Sequence, residues 1–140
     1  MDGAQMAFGM AKEAESEKIT INLGFVDLGQ IDLLVEDGFY SNRTDFIRTA
    51  IRNQLSAHGE VVKKSVERRE MVLGLQRYSR RDLEKVVAAG EQLQIQVLGL
   101  ATIEADVTPQ LARKAIASIA VLGALRASAE VKAALADRTR

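Results

Sequence analysis

Residues 18–23 read Lys-Ile-Thr-Ile-Asn-Leu, and this run constrains the fold more than any other feature of the chain. Ile19, Ile21 and Leu23 fall on one face of an extended backbone, and Lys18, Thr20 and Asn22 on the other. A strict period of two is the mark of a half-buried strand, and β-branched residues suit its pleated surface. Six residues do not make a strand that is stable alone. No second alternating run lies nearby, so the economical partner is the same segment of another copy. The expectation is an obligate homodimer held by two antiparallel strands over a helical core.

Gly24 ends the run, and the apolar period then changes. Leu28, Ile31, Leu34 and Val35 recur at helical spacing, with Asp27, Gln30, Asp32 and Glu36 elsewhere on the cylinder. Asp27 is expected to cap this helix, and Gly38 to stop it, because glycine tolerates the left-handed conformation at helix ends. After Phe39 and Tyr40, a second helix opens at residues 41–45, where Asn42 and Asp45 have capping-box spacing. Phe46, Ile47, Ala50, Ile51 and Leu55 form its apolar stripe, and His58 and Gly59 close it. The expected dimer core is Ile19, Ile21, Leu23, Leu28, Ile31, Leu34, Phe46, Ile47 and Ile51.

The strand, helix, turn and helix of residues 18–58 resemble the ribbon-helix-helix family of small bacterial and phage repressors. The turn at residues 38–48, Gly-Phe-Tyr-Ser-Asn-Arg-Thr-Asp-Phe-Ile-Arg, is close to that family's G-Y-x-N-R-S-E-x-I-R pattern. The resemblance implies an α+β chain: a β-α-α intertwined dimer of ribbon-helix-helix units, followed here by a different small domain. It also implies that the paired strands enter the DNA major groove, which is wide enough for a two-stranded ribbon. The base-reading positions carried over are Lys18, Thr20 and Asn22. Lysine can donate to guanine, asparagine can pair with adenine, and threonine can meet a thymine methyl. The phosphate-holding positions are Ser41, Asn42, Arg43 and Thr44 at the start of the second helix, whose amino terminus offers unpaired donors. Arg48 and Arg52 share a helix face and are either phosphate contacts or solvated charges.

Charge runs against this reading. Residues 1–60 hold five basic and ten acidic groups, whereas residues 61–85 hold eight basic and four acidic ones. Phosphate neutralisation dominates affinity for DNA, so an acidic unit is expected to bind weakly by itself. The stripe Lys63, Lys64, Arg68, Arg69, Arg77, Arg80, Arg81 and Lys85 either adds phosphate contacts or pairs with the acidic half. The chain has no cysteine and one histidine, His58, which excludes thiolate chemistry and argues against a histidine metal site. The metal ligands of the family's nickel-responsive branch are missing, so that function does not carry over. No metal or other cofactor is expected, and His58 reads as a helix cap or a surface residue. Neither a membrane span nor a secretory leader is evident, and a cytoplasmic protein is expected.

Residues 59–137 carry a repeat. Val72-Leu73-Gly74, Val97-Leu98-Gly99 and Val121-Leu122-Gly123 are one tripeptide in three copies. Residues 97–112 align without gaps on residues 121–136. A fixed period in the twenties predicts three stacked strand-plus-helix units, with helices capped at Ser79, Thr108-Pro109 and Ser128. Residues 61–73 suit either a helix or a strand. The organisation expected is an arm at residues 1–17, a ribbon-helix-helix domain at 18–58 and a β/α repeat domain at 59–137. The repeats are read as an assembly module joining dimers into tetramers or arrays, with an effector-binding domain or a docked tail as alternatives. The function expected is a non-enzymatic, sequence-specific repressor that binds double-stranded DNA. The alternatives are an antitoxin with a toxin partner, or a structural protein whose ribbon serves only dimerisation.

Overall fold

The computed structural model describes residues 15–140. The predicted arm lies almost wholly outside the described residues. The chain divides into two compact units, Met1–Val61 and Val62–Arg140.

The first unit contains helices α1 (Phe25–Glu36) and α2 (Arg43–Ala57). Helix α1 starts two residues before the expected cap: Gly24 is the N-cap, without a side-chain bond, and Asp27 sits in the first turn. An acid there still favours the helix, through the positive end of its dipole. Gly38 does stop α1. At φ +86 it lets its own N–H reach the Val35 carbonyl and that of Phe39 reach Leu34. This pair of bonds is the left-handed C-terminal motif that satisfies orphan carbonyls. Residues 16–24 form no helix and no sheet ladder in the single chain. The alternating segment has no strand partner within its own chain among the described residues.

Helix α3 (Gly59–Arg68) follows α2 after the single cap residue His58. The ambiguous stretch is therefore helix up to Arg68. It ends by the same left-handed motif, with N–H bonds from Glu70 to Glu67 and from Met71 to Val66. Here a glutamate, Glu70, occupies the φ +53 position.

The second unit continues as β1 (Val72–Tyr78), α4 (Arg80–Ala88), β2 (Leu93–Ile103), α5 (Pro109–Ala115), β3 (Ile116–Arg126), α6 (Ala129–Ala134) and a 3-10 turn, Ala136–Arg138. The strands form one parallel sheet in the order β1-β2-β3. The three tripeptides stand in exact lateral register: Val72, Val97 and Val121 pair across the sheet, as do Leu73, Leu98 and Leu122, and Gly74, Gly99 and Gly123. Beyond the strands the gapless sequence alignment does not correspond to equivalent positions. Helix α5 starts at Pro109 and α6 at Ala129, an offset of 20 rather than 24, because the loop before α5 is longer.

The core of this unit lies on one side of the sheet. Ile95, Val97, Ala101 and Ile103 of β2 and Ile119 of β3 are buried with Leu83 of α4, Ala112 and Ala115 of α5, and Val131 of α6. Alternation sends Leu98 and Leu100 to the other side. Caps fix the helix starts: Ser79 and Asp82 form a complete capping box, and the Thr108 and Ser128 hydroxyls accept from the Leu111 and Val131 N–H groups. The end of the chain is tied down by two arginines. Arg138 donates to the Arg113 and Ile116 carbonyls, and Arg113 donates to the Ala134 carbonyl and the Asp137 carboxylate.

Candidate nucleic-acid interface

The two faces of residues 18–23 have different surroundings. Ile21 and Leu23 line a cleft of about 420 Å³ with Ile31 and Leu34 of α1 and Phe46, Ile47 and Ile51 of α2. Lys18, Thr20 and Asn22, of opposite parity, are exposed and do not line this cleft. The expected dimer core is only partly closed by one chain. Ile31 is buried; Leu28, Leu34, Phe46 and Ile47 are half-buried; Ile19, Ile21, Leu23 and Ile51 are exposed, Ile21 to 58%. Phe25, Leu33 and Leu55 are exposed as well. An apolar cleft and exposed apolar side chains of this kind mark interaction sites.

The turn into α2 is rigidly organised. The Asn42 side chain accepts from the Asp45 N–H at 2.8 Å. The Asp45 carboxylate reaches back to the Ser41 N–H at 2.9 Å, one residue earlier than a regular capping box would place it. Tyr40 and Phe46 meet edge to face, with ring centres 5.0 Å apart. The N–H groups of Arg43 and Thr44 are at the first helical positions, which helix geometry leaves without an intrahelical partner. The Ser41 N–H, by contrast, is already occupied.

The Arg43 side chain has a role that sequence reasoning missed. Its Nε and one terminal nitrogen donate to both carboxylate oxygens of Asp32, each at 2.8 Å, and so clamp α1 to α2. This hydrogen-bonded pair lowers the Asp32 pKa and raises that of Arg43. The guanidinium is therefore held by Asp32 through Nε and one terminal nitrogen, while the side chain stays about half exposed. The available signal was opposite charge on two predicted helices joined by a short turn. Arg48 and Arg52 are exposed on α2. His58 lies at the α2 C-terminus with Nδ1 3.0 Å from the Gln54 carbonyl, a capping geometry. No cluster of three or more metal-ligating side chains occurs among the described residues, and none of their helices is long and apolar enough to cross a membrane.

Compared with known proteins, residues 14–132 match the model of the ribbon-helix-helix transcriptional regulator family. The chain belongs to that family. Its DNA-binding and transcription-regulating character, and the typical dimer, come with this membership. The ribbon-helix-helix match extends far past residue 58, so the tripeptide strands and their helices are part of the family pattern and not an unrelated addition. No curated protein and no solved structure matched the chain.

Proposed function

We propose that the protein is a homodimeric repressor whose two copies of residues 18–23 pair as an antiparallel ribbon in the DNA major groove. Lys18, Thr20 and Asn22 of each copy read bases. The backbone at Asn42, Arg43 and Thr44, with Ser41 beside it, holds a phosphate, and Arg48 adds a flanking contact. The observation that carries this reading is the parity of the segment: Ile21 and Leu23 enter the cleft, and the polar set is the one left outside. Pairing two such segments would satisfy the unpaired backbone and close the half-open core in one step. The domains at residues 18–58 and 59–137 divide the work, the first recognising DNA and the second joining dimers into larger assemblies. The protein acts in the cytoplasm without a cofactor or catalytic activity.

A second reading has two observations in its favour. The Asp45 carboxylate stands at the α2 amino terminus, where a phosphate would have to sit, and residues 1–60 are acidic. On that reading the ribbon serves dimerisation only. A titration against genomic-fragment pools at several salt concentrations separates the two. Repression requires enrichment of discrete sites and a fall in affinity with salt. Lys18→Ala with Asn22→Ala removes two base contacts per chain, at about 1–3 kcal/mol for each good pairing, and should abolish site selection while leaving the dimer intact. Absence of binding at low salt by the wild type would leave the dimerisation reading standing. A toxin partner would announce itself as a co-purifying protein.

A further inference from the structure

We infer that a cleft on the second unit, at the end of the sheet where β1 begins, binds a small carboxylate with an aliphatic tail, of the medium-chain fatty-acid class. The inference goes beyond the DNA-binding reading and does not rest on it. The cleft has a volume of about 410 Å³, within the range of small-molecule sites. The fold assembles it from stretches distant in sequence. Gln96 and Ala120 are paired neighbours on β2 and β3, and with Leu122 they form its floor, on the side of the sheet away from α4, α5 and α6. Met71, the residue before β1, and Val121 add apolar wall. Arg69 and Arg140 complete the lining.

Backbone bonds fix where both arginines start. The Arg69 N–H donates to the Ser65 carbonyl at 3.0 Å, in the turn that ends α3 just before β1. The Arg140 N–H donates to the Ile119 carbonyl at 2.8 Å, and Thr139 bridges to Ile119 in parallel, so Arg140 lies along β3. Because β1 and β3 flank β2, the two arginines are anchored on opposite sides of the floor. Neither side chain has a hydrogen bond or an ion pair among the described residues, whereas Arg43, Arg77, Arg80, Arg113 and Arg138 are each engaged. No acidic side chain lines the cleft. Free guanidinium groups beside an apolar floor fit an anion that also carries hydrocarbon. The planar guanidinium fork receives a carboxylate through two parallel bonds. The tail would cover Leu122, which is 51% exposed, together with Met71. A nucleic-acid backbone is the other anion that two arginines could meet, but it offers an apolar floor nothing to cover it. The apolar cleft of the first unit has the opposite electrostatics, since Asp27 lines it and no basic residue does.

Isothermal titration calorimetry of the full chain with decanoate, below its micelle concentration, tests the assignment. One decanoate per chain is expected to bind saturably. Decyltrimethylammonium, which keeps the tail and reverses the charge, should bind at least tenfold more weakly. Arg69→Ala with Arg140→Ala should weaken decanoate at least tenfold; both residues are exposed, and far-ultraviolet circular dichroism checks that the variant folds. Leu122→Glu, at the exposed part of the floor, should abolish binding. Arg81→Ala with Lys85→Ala removes the same charge from α4 and should leave decanoate affinity unchanged. Absence of saturable binding overturns the proposal, and so does equal affinity for the cationic amphiphile or equal affinity in the Arg69 and Arg140 double variant. If that variant loses affinity for DNA while the wild type takes no decanoate, the arginines hold phosphate and the proposal fails. A wild type that binds decanoate but no DNA keeps this site and removes the repressor reading.

Discussion

Replacing Gly99 by alanine tests the logic of the tripeptide repeat most directly. The three glycines stand side by side across the sheet at φ +127, +141 and +118 for Gly74, Gly99 and Gly123. A side chain at any of them meets a backbone conformation that L residues rarely adopt, costing on the order of 1–3 kcal/mol. Alanine recovers about 0.4–1 kcal/mol of that by restricting the unfolded chain. At Gly74, on the outer strand, nothing lies within 4 Å of an added Cβ, so conformational strain is the whole cost. At Gly99 the added Cβ would stand 2.2 Å from the Gly74 carbonyl oxygen. Neither backbone atom can move away without parting β1 from β2. Losing two ladder hydrogen bonds at mid-strand adds about 1–3 kcal/mol, at roughly 0.5–1.5 kcal/mol each. Gly74→Ala should therefore destabilise the second unit by about 0.5–2 kcal/mol, and Gly99→Ala by about 2–5 kcal/mol. Urea unfolding of the full chain gives the difference, followed by far-ultraviolet circular dichroism and by tyrosine fluorescence. Tyr78 is one of only two tyrosines, and there is no tryptophan. If Gly99→Ala costs no more than Gly74→Ala, close approach of neighbouring backbones is not what the glycine column provides.

Three further outcomes are expected. Glu70→Gly should stabilise the chain by about 0.5–1 kcal/mol in thermal unfolding, since it relieves a non-glycine residue at φ +53 in the cap that ends α3. Ile21→Asp should hold the chain as a monomer in sedimentation equilibrium at concentrations where the wild type is dimeric, because it places a charge in the apolar cleft that the ribbon has to close. Acid should weaken both units. The Arg43 hydrogen bond lowers the Asp32 pKa, bonds from Ser79 lower that of Asp82, and Arg113 lowers that of Asp137. Groups shifted downward contribute fully above the ordinary aspartate range, and that contribution is lost as pH falls through their lowered values. Asp32→Asn should flatten the acid limb of the first unit's stability curve, followed by hydrogen exchange in α1 and α2.

Much of the candidate site was legible because it is local. Alternation at residues 18–23, the Gly38 stop and the Asn42 cap each depend on a few neighbouring residues whose preferences agree. The Asp32–Arg43 clamp was not legible, since two charges eleven residues apart meet only once the turn has set the angle between α1 and α2. The start of α1 was misplaced for a related reason. Gly24 ends the extended segment and caps the helix in the same residue, so the stronger capping type, Asp27, lies already inside. In the second half, residues 61–73 carried both periods, and only the left-handed cap at Glu70 and Met71 divides helix from strand.

By itself the sequence determined the first two helices with their stop and cap signals and the lattice of the repeat. Apolar stripes at helical spacing and a recurring Val-Leu-Gly fix these from neighbouring residues alone. Tertiary structure decided what those features are for. It brought the three glycines into one column, where backbone rather than side chain fills the space. It put α4, α5 and α6 on a single side of the sheet, which the strands' mixed apolar pattern did not specify. It also bound the Arg43 guanidinium to Asp32 and set the Asp45 carboxylate on the Ser41 N–H at the start of α2. Side and partner are set by the handedness of the crossovers and by contacts between residues distant in sequence, and neither is encoded in local spacing.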